Sequence, residues 1–189
     1  MNENLITEIK SIGDFSDQDI ELVFSCFEEV LLKKGEHFLK EGQISRHVAY
    51  IQWGLTMYYQ LLDGVEIPFD FLAEDEWMAY LKSFTTQMPS DMNIVALENT
   101  MCLSLSAEKL SKIFEVQPRF MAIKNYYTEL SFFSITQHSA DLAMLTATER
   151  YYKFMKEKPH LLNRVPQYYI AAYLGIKPQS LSRIRKQSS

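Results

Sequence analysis

Four of the six glycines fall at positions 35, 42, 54 and 64, about ten residues apart, with short β-rich runs between them. That spacing leaves little room for helices and predicts strands over 47–53 (HVAYIQW), 55–62 (LTMYYQLL) and 65–71 (VEIPFDF). Asp63-Gly64 between the last two is a two-residue hairpin signal, because both turn positions need positive φ. Further strands are expected at 92–97 and 101–105, around a turn centred on Asn99. Short strands joined by evenly spaced turns predict a small antiparallel barrel or jelly roll.

Helical signals bracket this region. Ser16-Asp-Gln-Asp19 is a hydroxyl cap with a carboxylate three residues on, and it opens a helix through 20–27. Ser106 caps a short helix to about Glu115, and Pro118 suits the first position of a long one running to about Leu145. That stretch has Phe120, Ile123, Tyr127, Leu130 and Phe133 on one apolar stripe and Phe132, Ile135 and Leu142 on another. Two stripes can serve two surfaces, one packed on the barrel and one on a second copy of the chain. Thr146-Ala-Thr-Glu149 is a capping box that restarts the chain as a separate helix. The expected organisation is an α+β chain with a barrel and flanking helices over 1–117, a long dimerisation helix over 118–145, and a helical domain over 146–189.

Charge divides at the same place. The formal net charge is −5, but residues 1–145 carry ten Lys and Arg against 22 acids, while 146–189 carry nine against two. A basic end on an acidic body is the footprint of a chain that meets phosphate at one end only. Within that end, residues 167–186 have the pattern of two short helices crossing steeply. Ala171 is the small residue at the crossing and Gly175 makes the turn. Ile170, Leu174, Ile176, Leu181 and Ile184 form a shared apolar core, and Pro178 can open the second helix. The opposite face of that helix carries Gln179, Ser182, Arg183 and Lys186. Arg reads guanine bidentately and Gln can read adenine, so the pattern points to double-stranded DNA.

Other chemistries find little support. Cys26 and Cys102 are far apart, cannot supply a four-thiolate cluster, and as free thiols suit a reducing cytosol. No pair among His37, His47, His138 and His160 has metal-ligand spacing. Glu74-Asp75-Glu76 reads as a solvated acidic turn, with no nucleophile or oxyanion motif to make it catalytic. No apolar run reaches the length of a bilayer span and residues 1–10 are too polar for a signal sequence. The chain is therefore expected to be cytoplasmic, without membrane contact, catalytic residues, metal or cofactor.

From about residue 20 to 186 the sequence resembles the Crp/Fnr transcription regulators, especially a short Bacteroidetes-type branch. The resemblance rests on Leu32-Lys-Lys-Gly-Glu-His-Phe-Leu-Lys-Glu-Gly42, Ile94-Val-Ala-Leu-Glu98, Ala147-Thr-Glu-Arg-Tyr151 and Tyr169-Ile-Ala-Ala-Tyr-Leu-Gly-Ile-Lys-Pro-Gln-Ser-Leu-Ser-Arg-Ile-Arg-Lys186. It implies a cyclic-nucleotide-binding-like jelly roll, a dimerisation helix and a DNA-binding helix-turn-helix, and it places Gln179, Ser180 and Arg183 where the family reads bases. With Ser182, Arg185 and Lys186 these make the expected DNA-contacting set.

Two departures temper it. The β-wing expected after the recognition helix is absent from a sequence ending at Ser189. The Gly-Glu pair with which the family's nucleotide binders hold ribose and phosphate reads Ala79-Tyr80 here, and no Arg occurs between Arg46 and Arg119. Residues 63–91 carry seven acids against Lys82 alone, which would repel a phosphodiester. Cyclic AMP is therefore not the expected ligand. Tyr58, Phe69, Phe71 and Trp77, with Ala79 and Tyr80, are the residues expected to line a pocket for an unidentified small-molecule effector. The alternative reading is a ligand-binding or protein-interaction module with a vestigial DNA-binding tail.

Overall fold

A computed structural model describes residues 2–187; the outermost residues of the first and third expected divisions lie outside that range. Eight strands form two four-stranded antiparallel sheets. The first has the order β1 (Glu28–Leu32), β8 (Thr100–Ser106), β3 (His47–Trp53), β6 (Trp77–Met78). The second has the order β2 (His37–Leu39), β7 (Asn93–Ala96), β4 (Thr56–Leu62), β5 (Val65–Leu72). The strand over 47–53 matches the expectation residue for residue, and the others agree within two residues at each end. Asp63 and Gly64 both have positive φ, as a tight hairpin turn requires. Strands β1, β2 and β6 carry no comparable signal in the sequence; β1 follows directly on a helix with no glycine between them.

Side chains alternate across each strand, and both faces of both sheets are covered. Ala49, Ile51, Met78, Ile94 and Cys102 fill the interior between the sheets. Tyr50, Leu103 and Leu105 face outward from the first sheet against α1 (Glu3–Ile12), α2 (Asp17–Cys26) and α4 (Ala107–Val116). Met57, Tyr59, Phe71 and Val95 face outward from the second sheet against the C-terminal helices. With three apolar seams to fill, β7 is buried at all four positions and shows no polar alternation.

The helix caps fall where expected. Ser16 and Thr146 each make both bonds of a capping box, and Ser106 accepts from the Lys109 amide. Helix α1 is a correction to the reading of the N-terminus as merely polar: Asn2 caps it, and Leu5 and Ile9 are buried against the first sheet. The long helix also starts later than expected. Residues Pro118–Phe120 form a 3₁₀ turn, and α5 runs from Met121 to Met144, 24 residues or about 36 Å. None of its residues is buried. No described helix is long and apolar enough to cross a membrane.

Candidate nucleic-acid interface and effector region

After α6 (Ala147–Glu157) come α7 (Gln167–Tyr173) and α8 (Pro178–Gln187). Helix α7 ends because Gly175 adopts φ +65°, letting the Gly175 and Ile176 amides turn back onto the carbonyls of Ala172 and Ala171 at 2.9 Å each. Ala171 is fully buried where the two helices meet, and Ile170, Leu174, Leu181 and Ile184 close the core around it. Pro178 opens α8. With Leu181 and Ile184 anchored inward, Gln179, Ser180, Ser182, Arg183, Arg185 and Lys186 are all exposed on the remaining surface of α8. Arg150 ties this unit together, its Nε donating to the Leu174 carbonyl at 2.8 Å and its Nη1 to the Leu145 carbonyl.

The basic excess of this end is only partly a free surface. Arg164 donates to both carboxylates of Glu74 and Glu98 and, through Nη2, to the Gly54 carbonyl at 2.9 Å. Lys158 pairs with Asp70 at 2.7 Å and Lys153 with Asp141. Burial alone would lower the Lys158 ammonium, but Asp70, Tyr173 and Glu76 together outweigh it and the pKa rises. Hydrogen bonds from Arg164 hold the Glu74 carboxyl down to about 2. Arg150, Lys153, Lys158 and Arg164 are thus engaged within the protein. Tyr169 donates to Glu66, and Tyr173 packs on Phe71 at 5.5 Å, completing a seam between the second sheet and the helix pair.

The acidic turn is exposed at Glu74 and Asp75, as expected, but each of its carboxylates also has partners within the protein. Glu74 takes Arg164 and the Gly54 amide. Asp75, at φ +66°, accepts from the Tyr50 hydroxyl and Asn4. Glu76 accepts the Ala73 amide at 2.7 Å, and burial raises its pKa.

The six residues expected to line one effector pocket are not brought together. Tyr58 and Tyr80 pack on the barrel interior, and the Tyr58 hydroxyl accepts the Ala79 amide at 2.8 Å. Phe71 faces the C-terminal helices, and Trp77 faces α2 and α5, near Phe27 and Tyr127. Phe69 is exposed. The register opposite it jumps from Tyr58↔Asp70 to Tyr59↔Pro68, so Phe69 is the extra residue of a β-bulge and turns out of the sheet. Next to α3 (Leu81–Thr86) the Asp91 carboxylate receives both Lys82 and the Tyr80 hydroxyl and is held down to about 2. Among the described residues, no three His, Cys, Asp or Glu group as metal ligands would.

Residues 29–117 match the family model of the Cyclic nucleotide-binding domain. The chain as a whole has the architecture of the Crp/Fnr-type regulators. It is similar in structure to FixK2 from Bradyrhizobium japonicum (TM-score 0.75, 20% identity, covering 85% of this chain and 83% of that one). It is also similar to CLP, a c-di-GMP-responsive global regulator of Xanthomonas campestris (0.72, 15%, 91% and 91%). A third is a Crp/Fnr family transcriptional regulator from Eubacterium rectale (0.70, 16%, 92% and 83%). At these identities the likeness is one of fold. No curated protein sequence matches the chain.

Proposed function

We propose that this protein is a sequence-specific DNA-binding transcription regulator that acts as a homodimer and whose barrel does not take cyclic AMP. The observation that carries the reading is α8: two apolar anchors on one side, and Gln179, Ser180, Ser182, Arg183, Arg185 and Lys186 exposed on the other. The dimer is supported by α5. Tyr126, Leu130, Phe133 and Met144 are exposed large apolar side chains, and with Gln137 and Ala140 they follow alternating steps of four and three along one face. Two chains paired there would present two α8 helices to half-sites about 34 Å apart.

Selection from a random duplex pool tests this. It should return a roughly palindromic site, and light scattering should find two 22.1 kDa chains on each duplex. Arg183→Ala should cost about 1–3 kcal/mol and relax one base position, whereas Lys186→Ala should weaken all duplexes alike. A pool with no enriched sequence, and no salt-dependent retention on DNA, would leave the interaction-module reading in its place.

The nucleotide reading rests on Asp91. It lies ionised beside Ala79-Tyr80 and already neutralises Lys82, the cation of that segment. A phosphodiester entering here would meet a carboxylate instead of a guanidinium. Titration calorimetry should show no heat of binding for cyclic AMP or cyclic GMP; micromolar binding of either would refute the proposal.

A further inference from the structure

Between the outward face of the first sheet and the helices laid across it lies an apolar cavity of about 130 Å³. Val48 and Leu105 of the sheet form its floor, Ile113 of α4 lies across from them, and Ile123 and Tyr127 of α5 make a wall. It is separate from the barrel interior: Ala49, Ile51, Met78 and Ile94, which fill that interior, line no part of it.

The exposed Lys124 and Thr128, with Ser131, also line it, and two buried polar groups interrupt its apolar part. The Trp77 indole nitrogen and the Tyr127 hydroxyl are both buried, and neither has a hydrogen-bond partner. Glu8 and Trp77 both approach the Tyr127 hydroxyl, but neither approach has hydrogen-bond geometry. Buried donors are nearly always satisfied, and an indole N–H can only donate, so the missing partner is an acceptor. An uncharged acceptor fits better than an anion even with Lys124 among the lining residues, because the lining is mostly apolar and burying a charge there costs far more than burying a neutral group. Size gives the rest. A dry cavity of about 150 Å³ lined by Leu, Ile and Phe takes benzene.

We propose that this cavity binds a small uncharged aromatic molecule bearing one hydrogen-bond acceptor, of the aryl ketone or aldehyde class, oriented by Trp77 and Tyr127. This moves the effector from the barrel interior to the sheet's outer face and keeps only Trp77 and Ala79 of the residues expected from the sequence. It rests on reading the barrel as a sensor and is independent of DNA recognition. Helix α5 supplies Ile123 and Tyr127 and continues to Met144 beside the helix pair, so occupancy sets how that helix lies against the sheet.

The test uses the full-length, ¹⁵N-labelled protein and acetophenone as the probe. Acetophenone at millimolar concentration should shift the Trp77 indole N–H resonance and leave that of the exposed Trp53 in place. Toluene, which has the ring without the acceptor, should bind about fivefold more weakly, and Tyr127→Phe should weaken acetophenone by a similar factor. Benzoate should produce no shift. Val48→Phe, which fills the floor, should abolish the response; Thr128→Trp on the exposed side of the wall serves if that variant does not fold. A silent Trp77 resonance overturns the proposal, whether water or a partner helix fills the space. So does toluene binding as tightly as acetophenone, or a response that survives the filled cavity. A protein that binds acetophenone but selects no duplex fails only the DNA reading.

Discussion

Gly54→Ala should leave little folded protein. Gly54 has φ +112°, and a Cβ built there would sit 2.5 Å from the Thr100 Cα and 2.6 Å from the Asn99 carbonyl oxygen. Both of these are backbone atoms of the turn into β8, so moving the third obstacle, the Thr100 Oγ1 at 2.5 Å, would not relieve the overlap. The same residue donates its amide to Glu74 and offers its carbonyl to Arg164, so any retreat of the backbone also disturbs the seam to the C-terminal helices. A loss of more than about 4 kcal/mol is expected, a large share of a domain's total stability. Gly64→Ala is the control. Gly64 also has positive φ, at +79°, but nothing lies within 4 Å of its added Cβ, so only the backbone cost of about 1 kcal/mol remains. Urea melts of the two variants separate overlap from backbone strain; equal losses would show that the close approach to Thr100 is not what matters.

Arg164→Met should uncouple the C-terminal helices from the barrel. Its guanidinium joins Glu74, Glu98 and the Gly54 carbonyl, and removing it leaves two half-buried carboxylates facing each other across the gap. Discounted for solvent screening of these partly exposed groups, the loss is about 2–3 kcal/mol. Urea unfolding should change from one transition to two, and protease should cut between the barrel and α7 first. Acid should act in the same direction on the wild type. The Glu74 carboxyl titrates at about 2 in the folded protein, chiefly through its hydrogen bonds from Arg164, against about 4.3 in an unfolded chain. Its contribution is therefore complete above about pH 4.3 and is lost as pH falls through the folded value. In Arg164→Met this part of the acid sensitivity should disappear. A variant with a single transition and the wild-type acid profile would show that the seam is held by its apolar contacts alone.

The parts of this protein legible in sequence are those decided within a few residues. The capping boxes at Ser16 and Thr146, the Asp63-Gly64 turn and the Ala171–Gly175 spacing each satisfy their requirement locally, and each is found in place. What escaped was settled at long range. Arg164 meets Glu74 and Glu98 from 90 and 66 residues away, and Lys158 meets Asp70 from 88. A net-charge count assigned those cations to DNA and those acids to solvent, because it records sign and not position. The effector set failed for a related reason. Aromatic residues in one stretch of chain look like neighbours in sequence, but one pleat sends Tyr58 inward, another sends Phe71 toward the C-terminal helices, and the bulge turns Phe69 to water. The outer cavity is assembled from helices α1 to α5 and the first sheet, and no local pattern signals it.

The covering of the second sheet bears on how such a protein can change over time. Met57, Tyr59, Phe71 and Val95 are buried only because Ile170, Ala171, Leu174 and their neighbours share a core with them. Cutting the chain near residue 146 would bare that face, and any other helical unit spliced in its place would have to fit its shape and match Asp70, Glu74 and Glu98 with cations of its own. The helix pair is therefore not a freely exchangeable cassette. Under the DNA reading proposed above, a change of specificity has an easier route through substitutions on the outward side of α8, which leave the shared core untouched.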